Sequence, residues 1–367
     1  MANEPSIPAH QAAVKQDASG KIQLEHHAPV PELQPDTVLV KVAAVALNPY
    51  DYKLPLHFPS PGTTGGSDFA GTVVKIGSQA AIDRPDISIG DLVSGCVYGW
   101  HPDTPENGAF ANYVRADARL VFRIGAFKIE EAATFNAAFA TLCLALWHSD
   151  ALDLTHSPTV PISGSSLEKP EYVLVYGGST ASGTMALQLL KLSGYSTIAT
   201  CSPKNFDLVK SYGADHVFDY SHPDTPSQIK TLTRGTLKRV LDCISDHHAI
   251  TVCHEAIGRL GGRLVNLELA PDPRPGDKRR RIVKHYFVDG KCSRKLLACP
   301  PGYRREPSRA KHEFAVEKAV EFQRLMDERS LRPHPIQIVE GGLEGIVKGL
   351  EMLKIGVSGK KLVLRLS

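Results

Sequence analysis

Apolar positions change their period twice along this chain. Over the first third they fall in short, β-branched runs closed by turn residues. TVLVKVAAVALN (37–48) ends at Asn48-Pro49, while DFAGTVVKIGS (68–78) and GDLVSGCVYG (90–99) are bracketed by glycines. HPDTPENG (101–108) is a loop by its Pro, Asn and Gly content. Such a series predicts an antiparallel sheet curled toward a barrel. KIEEAATFNAAFATLCLALW (128–147) then takes helical spacing, and the Pro- and Ser-rich THSPTVPISGSSLEKP (155–170) reads as a linker.

From Tyr172 the pattern becomes strand, helix, strand, helix. YVLVY (172–176) is a continuous apolar run, as in a strand covered on both faces. TMALQLLKLSG (184–194) sets Ala186, Leu189 and Leu190 on one helical face, with Gly194 as its stop. STIATCS, NFDLVKSYGA, HVFDY, RVLDCIS and GGRLVNLE continue the alternation to residue 268. That order predicts parallel βαβ units with right-handed crossovers. Two helices, KHEFAVEKAVEFQRLMDERS (311–330) and LEGIVKGLEMLKIG (343–356), and a closing strand KKLVLRL complete the chain.

At 367 residues there is material for two domains. The apolar fraction of 42% and charged fraction of 22% are those of an ordinary soluble protein. A net charge of +3 is too small to argue for nucleic acid. The basic run DKRRRIVKH (277–285) reads either as a solvated loop or as a docking patch for an acidic partner or phosphate. Cysteines 96, 143, 201, 243, 253, 292 and 299 are odd in number and form no CxxC pair, which favours a reducing compartment. The first residues lack the basic start and apolar run of a signal peptide. FNAAFATLCLALW is shorter than the ~20 residues that cross a bilayer. A cytoplasmic protein with no membrane or nucleic-acid partner is expected.

The first βαβ turn carries the candidate chemistry. A helix that follows a strand presents unpaired N–H groups and a positive dipole end, an anion site. YGGSTASG (176–183) supplies Gly177, Gly178, Ala181 and Gly183 for close backbone approach, with hydroxyls from Ser179, Thr180 and Ser182. It fails strict GxGxxG spacing, yet stands in the strand–turn–helix context that the motif requires. NAD binders usually place a carboxylate about 20 residues past this turn. At that distance stand Ser202, Pro203, Lys204 and Asn205, with no acid before Asp207. A hydroxyl and an ammonium suit a phosphate, which favours NADPH over NADH; Lys204 as a solvated helix-start residue stays open. Tyr220 is a candidate to stack beside the adenosine end.

With these residues placed, the chain resembles the zinc-free, quinone-reductase-like branch of the medium-chain dehydrogenase/reductase superfamily. The resemblance rests on NPYDYK (48–53), GSDFAGTVVKIGS (66–78), IGDLVSG (89–95), GAFANY (108–113), the glycine turn and VSGKKLVLRL (357–366). Within that superfamily YVLVYGGSTAS, LSGYSTIATCSPKNFDL and LDCIS are similar to the fungal trans-acting enoyl reductases of polyketide synthesis. The resemblance implies an α/β fold, a GroES-like β-barrel catalytic domain (1–150) and a doubly wound Rossmann domain (151–305). A C-terminal return (306–367) would complete the first. The substrate cleft is then expected between domains.

It also implies site residues. NPYDYK is expected on a loop facing cofactor and substrate, so Tyr50, Asp51, Tyr52 and Lys53 become cofactor contacts. Lys53 is the catalytic candidate, as proton donor or oxyanion partner; a phosphate-bound or solvated lysine is the open alternative. Asn48 is expected to tether the loop. Leu267 and Glu268 correspond to backbone contacts near the nicotinamide, and Val357 and Ser358 to a closing cofactor contact. Asn136, Ala137, Ala138 and Phe139, with Ala140, Thr141, Leu142 and Cys143, would line the substrate channel, or simply begin a packed helix. Zinc-dependent relatives carry GHExxG; here GSDFAG puts Ser67 at the histidine, and no metal is expected.

Without metal, a reduced nicotinamide can pass hydride to the β-carbon of an α,β-unsaturated thioester while positioned donors hold the growing enolate. The expected partner is a polyketide on the acyl carrier domain of a synthase, with the enzyme a monomer. A free-standing quinone or alkenal reductase, and a non-redox cyclase or scaffold on the same fold, are the alternatives.

Overall fold

A computed structural model describes residues 7–163, 170–269, 283–287 and 306–366. By internal contacts the chain divides into a first unit, Met1–Ala137 with Phe322–Ser367, and a second, Ala138–Glu321. Both divisions fall inside helices, Asn136–Trp147 and Arg309–Asp327, rather than near residues 150 and 305. The first expectation followed the linker-like composition after Thr155. Its described part is bonded into the second unit, where Thr159 N and Oγ1 both donate to Glu321 and His156 N donates to the Tyr195 hydroxyl. The basic run 278–281, with Cys292 and Cys299, lies outside the described residues.

In the first unit β1 (His10–Gln16) and β2 (Ile22–Pro29) form an antiparallel pair. A seven-stranded sheet gathers β3 (Thr37–Ala46), β4 (Asp68–Ile76), β5 (Leu92–Cys96), β6 (Tyr113–Asp117) and β7 (Phe122–Arg123) with two strands from the chain's end. Those are β14 (Ile336–Ile338) and β15 (Lys361–Arg365). β3 is central, bonded antiparallel to β4, β6 and β15. Its valines 38, 40, 42 and 45 meet Phe69 and Val73 of β4 and Leu362 and Leu364 of β15 in one core. The β-branched runs legible in the sequence are therefore these strands.

The helical run at 128–147 is broken. Ile129–Ala132 and Asn136–Trp147 are separate helices. At the break Asn136 turns its amide back on Ala132 O (3.1 Å) and accepts from Ser94 Oγ (3.2 Å), the competition with backbone bonding that short polar side chains bring to a helix. Ile129–Trp147 has the length and hydropathy of a membrane span, but 72% of that window is buried inside the protein.

The second unit holds the alternating segments as β8 (Tyr172–Tyr176), β9 (Ser196–Cys201), β10 (His216–Asp219), β11 (Arg239–Asp242), β12 (Gly262–Asn266) and β13 (Val283–Phe287). They form one parallel sheet in the order β10-β9-β8-β11-β12-β13. Counted within the unit this is 3-2-1-4-5-6, the doubly wound order with its switch point between the first and fourth strands. Val173, Leu174, Val240, Leu241, Leu264 and Val265 have no exposed surface, as expected of strands covered on both faces. The carboxyl ends of β8 and β11 thus frame the crevice where ligands of such sheets bind.

Candidate functional site

The turn after β8 is built for close approach. Gly177 has φ of 78°, and a Cβ there would lie 2.9 Å from Ile244 Cγ1. A Cβ on Gly183 would lie 2.4 Å from Gly177 O, closer than side chains tolerate. Thr180 is the N-cap of the helix Ala181–Leu192; its hydroxyl accepts from Gly183 N (2.9 Å) and donates to Gly177 O (2.9 Å). Thr200 O on β9 accepts from both Gly177 N (3.1 Å) and Gly178 N (2.9 Å). The turn is fixed at both ends, with Ser179, Thr180, Ala181 and Ser182 half-buried at its rim. A twelve-residue helix aims its positive end there.

Around this turn the sheet gathers the other expected contacts of the second unit. Ser202 follows β9, and Pro203–Asn205 form a single helical turn with Lys204 exposed. The register Asp219↔Cys201 ends β10 beside the end of β9, with Tyr220 and Ser202 the next residue of each. The Tyr220 ring is 6.2 Å from that of Tyr176, which closes β8. Leu267 and Glu268 follow β12, with Leu267 N donating to Asp242 O (3.1 Å) and Glu268 N to Ser245 Oγ (3.1 Å).

Those last bonds reveal residues that the sequence reading passed over. Asp242, at the end of β11, has no exposed surface. Its Oδ1 accepts from Ile244 N and Ser245 N (both 2.9 Å), and its Oδ2 from Asn266 Nδ2 (3.0 Å). Burial pushes its carboxyl up to about 6, against the pull of those N–H groups. Ser245 sits in the left-handed region at φ of 67°. Asp242 therefore stitches the ends of β11 and β12 beside the switch point. The signal lay in LDCIS, but an acid at a strand end marks nothing until β11 is seen beside β8.

The first unit corrects one expectation. NPYDYK is not on a loop; Pro49–His57 is a helix with Asn48 as N-cap and Pro49 at its first position. Asn48 N donates to Asp51 Oδ2 at 2.8 Å, the reciprocal bond of a helix start. Asp51 was expected to touch a cofactor, yet its carboxylate faces the interior with no exposed surface and accepts from Ser67 Oγ (2.9 Å). Its carbonyl accepts from Trp100 Nε1 (3.0 Å). Burial raises its pKa to about 7, opposed by the Asn48 N–H and the Ser67 hydroxyl. Tyr52 and Lys53 are half-buried on the same helix, and the Tyr50 hydroxyl donates to Gly99 O (3.3 Å). Val357, half-buried, and Ser358, exposed, lie in the segment that leads into β15. Tyr50, Tyr52 and Val357 pack against one core.

The expected substrate residues straddle the division. Asn136 and Ala137 belong to the first unit, and Ala138, Phe139, Ala140, Thr141, Leu142 and Cys143 to the second. Ala137, Ala140 and Thr141 keep partial exposure, whereas the other five are buried.

Zinc does not fit the residues where zinc relatives bind it. Asp68, fully buried, already carries the Lys361 ammonium at 2.8 Å, the Asn48 amide at 2.9 Å and the Ala137 N–H at 2.6 Å. A dication added there would meet the ammonium instead of imidazole or thiolate partners. Burial, with the charges of Asp68 and Asp51, holds the neighbouring Cys96 thiol well above its ordinary range, which opposes the thiolate a metal needs. Among the described residues no group of three or more His, Cys, Asp or Glu could hold a metal ion.

Two family models match the chain. Residues 34–126 match the alcohol dehydrogenase GroES-like domain, and residues 181–286 match the model described as zinc-binding dehydrogenase. The trans-enoyl reductase TwmE of Talaromyces wortmannii is 46% identical over 98% of both chains. The trans-enoyl reductase poxP of Penicillium oxalicum is 42% identical, over 98% of this chain and 94% of its own. Among solved structures, an alcohol dehydrogenase superfamily protein from Novosphingobium aromaticivorans superposes with a TM-score of 0.75 at 21% identity, covering 97% of this chain and all (100%) of its own. CurK enoyl reductase gives 0.69 at 18%, covering 98% and 100%. At such identities the structures speak for the fold alone. The full-length identity speaks for more: this chain belongs to the trans-enoyl reductases, on the medium-chain dehydrogenase/reductase fold.

Proposed function

We propose that this chain is an NADPH-dependent enoyl reductase that acts in trans, saturating the α,β-double bond of a polyketide held on the acyl carrier domain of a partner synthase. The observation that carries this reading is the 46% identity to TwmE over 98% of both chains. As a monomer in the cytosol it would meet its substrate on the synthase. Electrostatic docking of an acidic carrier domain would set the rate of encounter.

The second unit's own residues account for cofactor binding. The Gly177–Gly183 turn and the start of the Ala181–Leu192 helix would take the diphosphate. Ser202 and Lys204 stand beyond β9 where NAD binders keep a carboxylate, so a 2′-phosphate is matched by a hydroxyl and an ammonium. Tyr220 offers a ring face beside them. Asp242 holds the Leu267–Glu268 turn against the end of β11. When bound, a reduced nicotinamide supplies hydride for the β-carbon.

What remains for the protein is charge and proton. Lys53 Nζ is the group assigned to the carbonyl oxygen, where negative charge grows in the transition state. The partly exposed positions of 136–143 are small (Ala137, Ala140, Thr141), which suits an acyl chain laid along them.

The test is incubation with candidate synthases, with and without NADPH, followed by mass spectrometry. Products two hydrogens heavier only with both enzyme and NADPH support the reading. Free enals reduced as well as carrier-bound substrate would favour a detoxifying reductase, and products indifferent to NADPH a non-redox role. Lys204→Glu is expected to raise KM for NADPH while leaving kcat near wild type. Loss of a charge-assisted bond of ~1.5–3 kcal/mol corresponds to about ten- to hundred-fold in KM. An unchanged KM removes Lys204 from the phosphate site.

A further inference from the structure

A buried ammonium joins pieces of the first unit that are distant in sequence. Lys361 opens β15, and its side chain is 3% exposed against 0% for Asp68. Its Nζ donates to Asn48 Oδ1 at 2.6 Å and to Asp68 Oδ2 at 2.8 Å. Asn48 Nδ2 donates to the same Asp68 oxygen at 2.9 Å, and Asp68 Oδ1 accepts from Ala137 N at 2.6 Å. Two of these partners begin helices. Asn48 caps Pro49–His57, which carries Tyr50, Tyr52 and Lys53, and Ala137 is the second residue of Asn136–Trp147.

Taking an ion pair out of water carries a desolvation cost that a well-packed apolar pair would avoid, so such a pair is weak evidence of stabilisation. Lysine suits this task because its ammonium is a compact charge whose donors can converge on two oxygens from one point. The same helix is held twice more, by Ser67 Oγ on Asp51 and by Trp100 Nε1 on the Asp51 carbonyl. Those bonds hold its first turn through Asp51, whereas the Asn48 side chain is held by Lys361 on its oxygen and by Asp68 on its nitrogen.

We propose that Lys361, seated between Asn48 and Asp68, is a positioning residue for the reductase reaction. It fixes the cap of the Pro49–His57 helix and, through Asp68, the start of the Asn136–Trp147 helix, and so sets where Tyr52 and Lys53 stand. The proposal rests on the reading of Lys53 as a group at the reacting carbonyl. A merely structural ion pair would make the same bonds. The two roles part when both charges are removed together, because stability then returns while the ammonium's grip on Asn48 does not.

The experiment compares full-length wild type, Lys361→Met and Lys361→Met/Asp68→Asn. Three readings are taken: melting temperature, steady-state kinetics with NADPH, and amide hydrogen exchange over residues 49–57. The single variant leaves a lone buried carboxylate and is expected to melt well below wild type. The double variant is expected to regain the wild-type melting temperature but keep kcat at least about tenfold down, with KM for NADPH within about threefold. Its helix amides are expected to exchange faster. Wild-type kcat in the double variant, or unchanged exchange over 49–57, overturns the proposal. Should that variant not fold, Lys361→Arg keeps the charge on a planar fork that cannot donate from the same point; wild-type kcat and exchange there overturn it equally. A wild-type enzyme that never oxidises NADPH on any enoyl substrate would instead defeat the functional reading, and exchange would still decide whether the ammonium holds the helix.

Discussion

Asp51 shows what burial does to a single acid. With no exposed surface its pKa rises from 3.8 to about 7, so the folded protein keeps a proton that the unfolded chain releases. Stability from this group is therefore full below about pH 4, falls as pH rises toward about 7, and is level above it. A shift of ~3 pH units corresponds to roughly 4 kcal/mol at most. His334 works in the opposite direction. Burial, aided by the Lys361 charge, lowers its pKa from 6.5 to about 4, so its contribution is lost as pH falls through that window. The wild-type curve mixes the two, and a variant separates them. In Asp51→Asn the amide oxygen can still accept from Asn48 N and the amide nitrogen can donate to Ser67. Urea unfolding across the acid-to-neutral range is expected to show the variant drawing ahead of wild type as pH rises, with a constant margin above about pH 7. A margin that does not change with pH rejects the buried acid. None of this was legible beforehand, since Asp51 read as a residue facing a cofactor. Which way a side chain points depends on Ser67 and Trp100, residues supplied by other parts of the chain. The place of Ser202 and Lys204 just past β9 was legible because they follow a strand at a fixed distance from a turn, a local relation.

At the scale of elements, the glycine turn and the cap that fixes it make separable contributions. Thr180→Ala removes the bond to Gly183 N and the one to Gly177 O, and a lost N-cap costs about 1 kcal/mol. Gly183→Ala is more severe. Its Cβ would stand 2.4 Å from Gly177 O and 2.8 Å from two Gly178 atoms, all of them backbone, so the turn must open. The expected order of melting temperature is wild type, Thr180→Ala, Gly183→Ala. Only the glycine variant is expected to give no heat when titrated with NADPH. Normal binding by Gly183→Ala would mean that the diphosphate lies elsewhere. This turn was readable because strand, glycines and helix follow one another in sequence. NPYDYK was harder. The same Asn-Pro that ends β3 begins a helix, with Pro49 at its first position and Asp51 closing back on Asn48 N, and only the first half of that double signal was used. The break at Asn136 was hidden by a helical apolar period that runs across it, while the bond that makes it reaches Ser94 on β5.

For the whole molecule, periodicity alone separated a β-rich part from a βαβ part, because strand and helix leave different spacings in the chain. The places where one unit passes into the other were not legible, since both lie within continuous helices and a helix has the same spacing on either side of a boundary. The return of the chain's end was legible as a strand, but its consequence is topological. β15 bonds parallel to β14 and antiparallel to β3, so without it β14 has no neighbour in the sheet path and β3 loses its partner over Ala44–Ala46. Leu362, Val363 and Leu364 have no exposed surface, and each such side chain contributes roughly 1.5–3 kcal/mol on burial. Their sum is comparable to the total stability of an ordinary domain, about 5–15 kcal/mol. A chain ending at Ser358 also loses Lys361 and leaves Asp68 unpaired in the core. The first unit is therefore expected to unfold. The second unit keeps every strand of its sheet, all of which lie between Tyr172 and Phe287. Hydrogen exchange is expected to show amide protection lost across β3 and β4 and retained across β8 and β11. Loss of protection in both sheets together would show instead that the two units fold as one cooperative body, with β15 as the strand on which both depend.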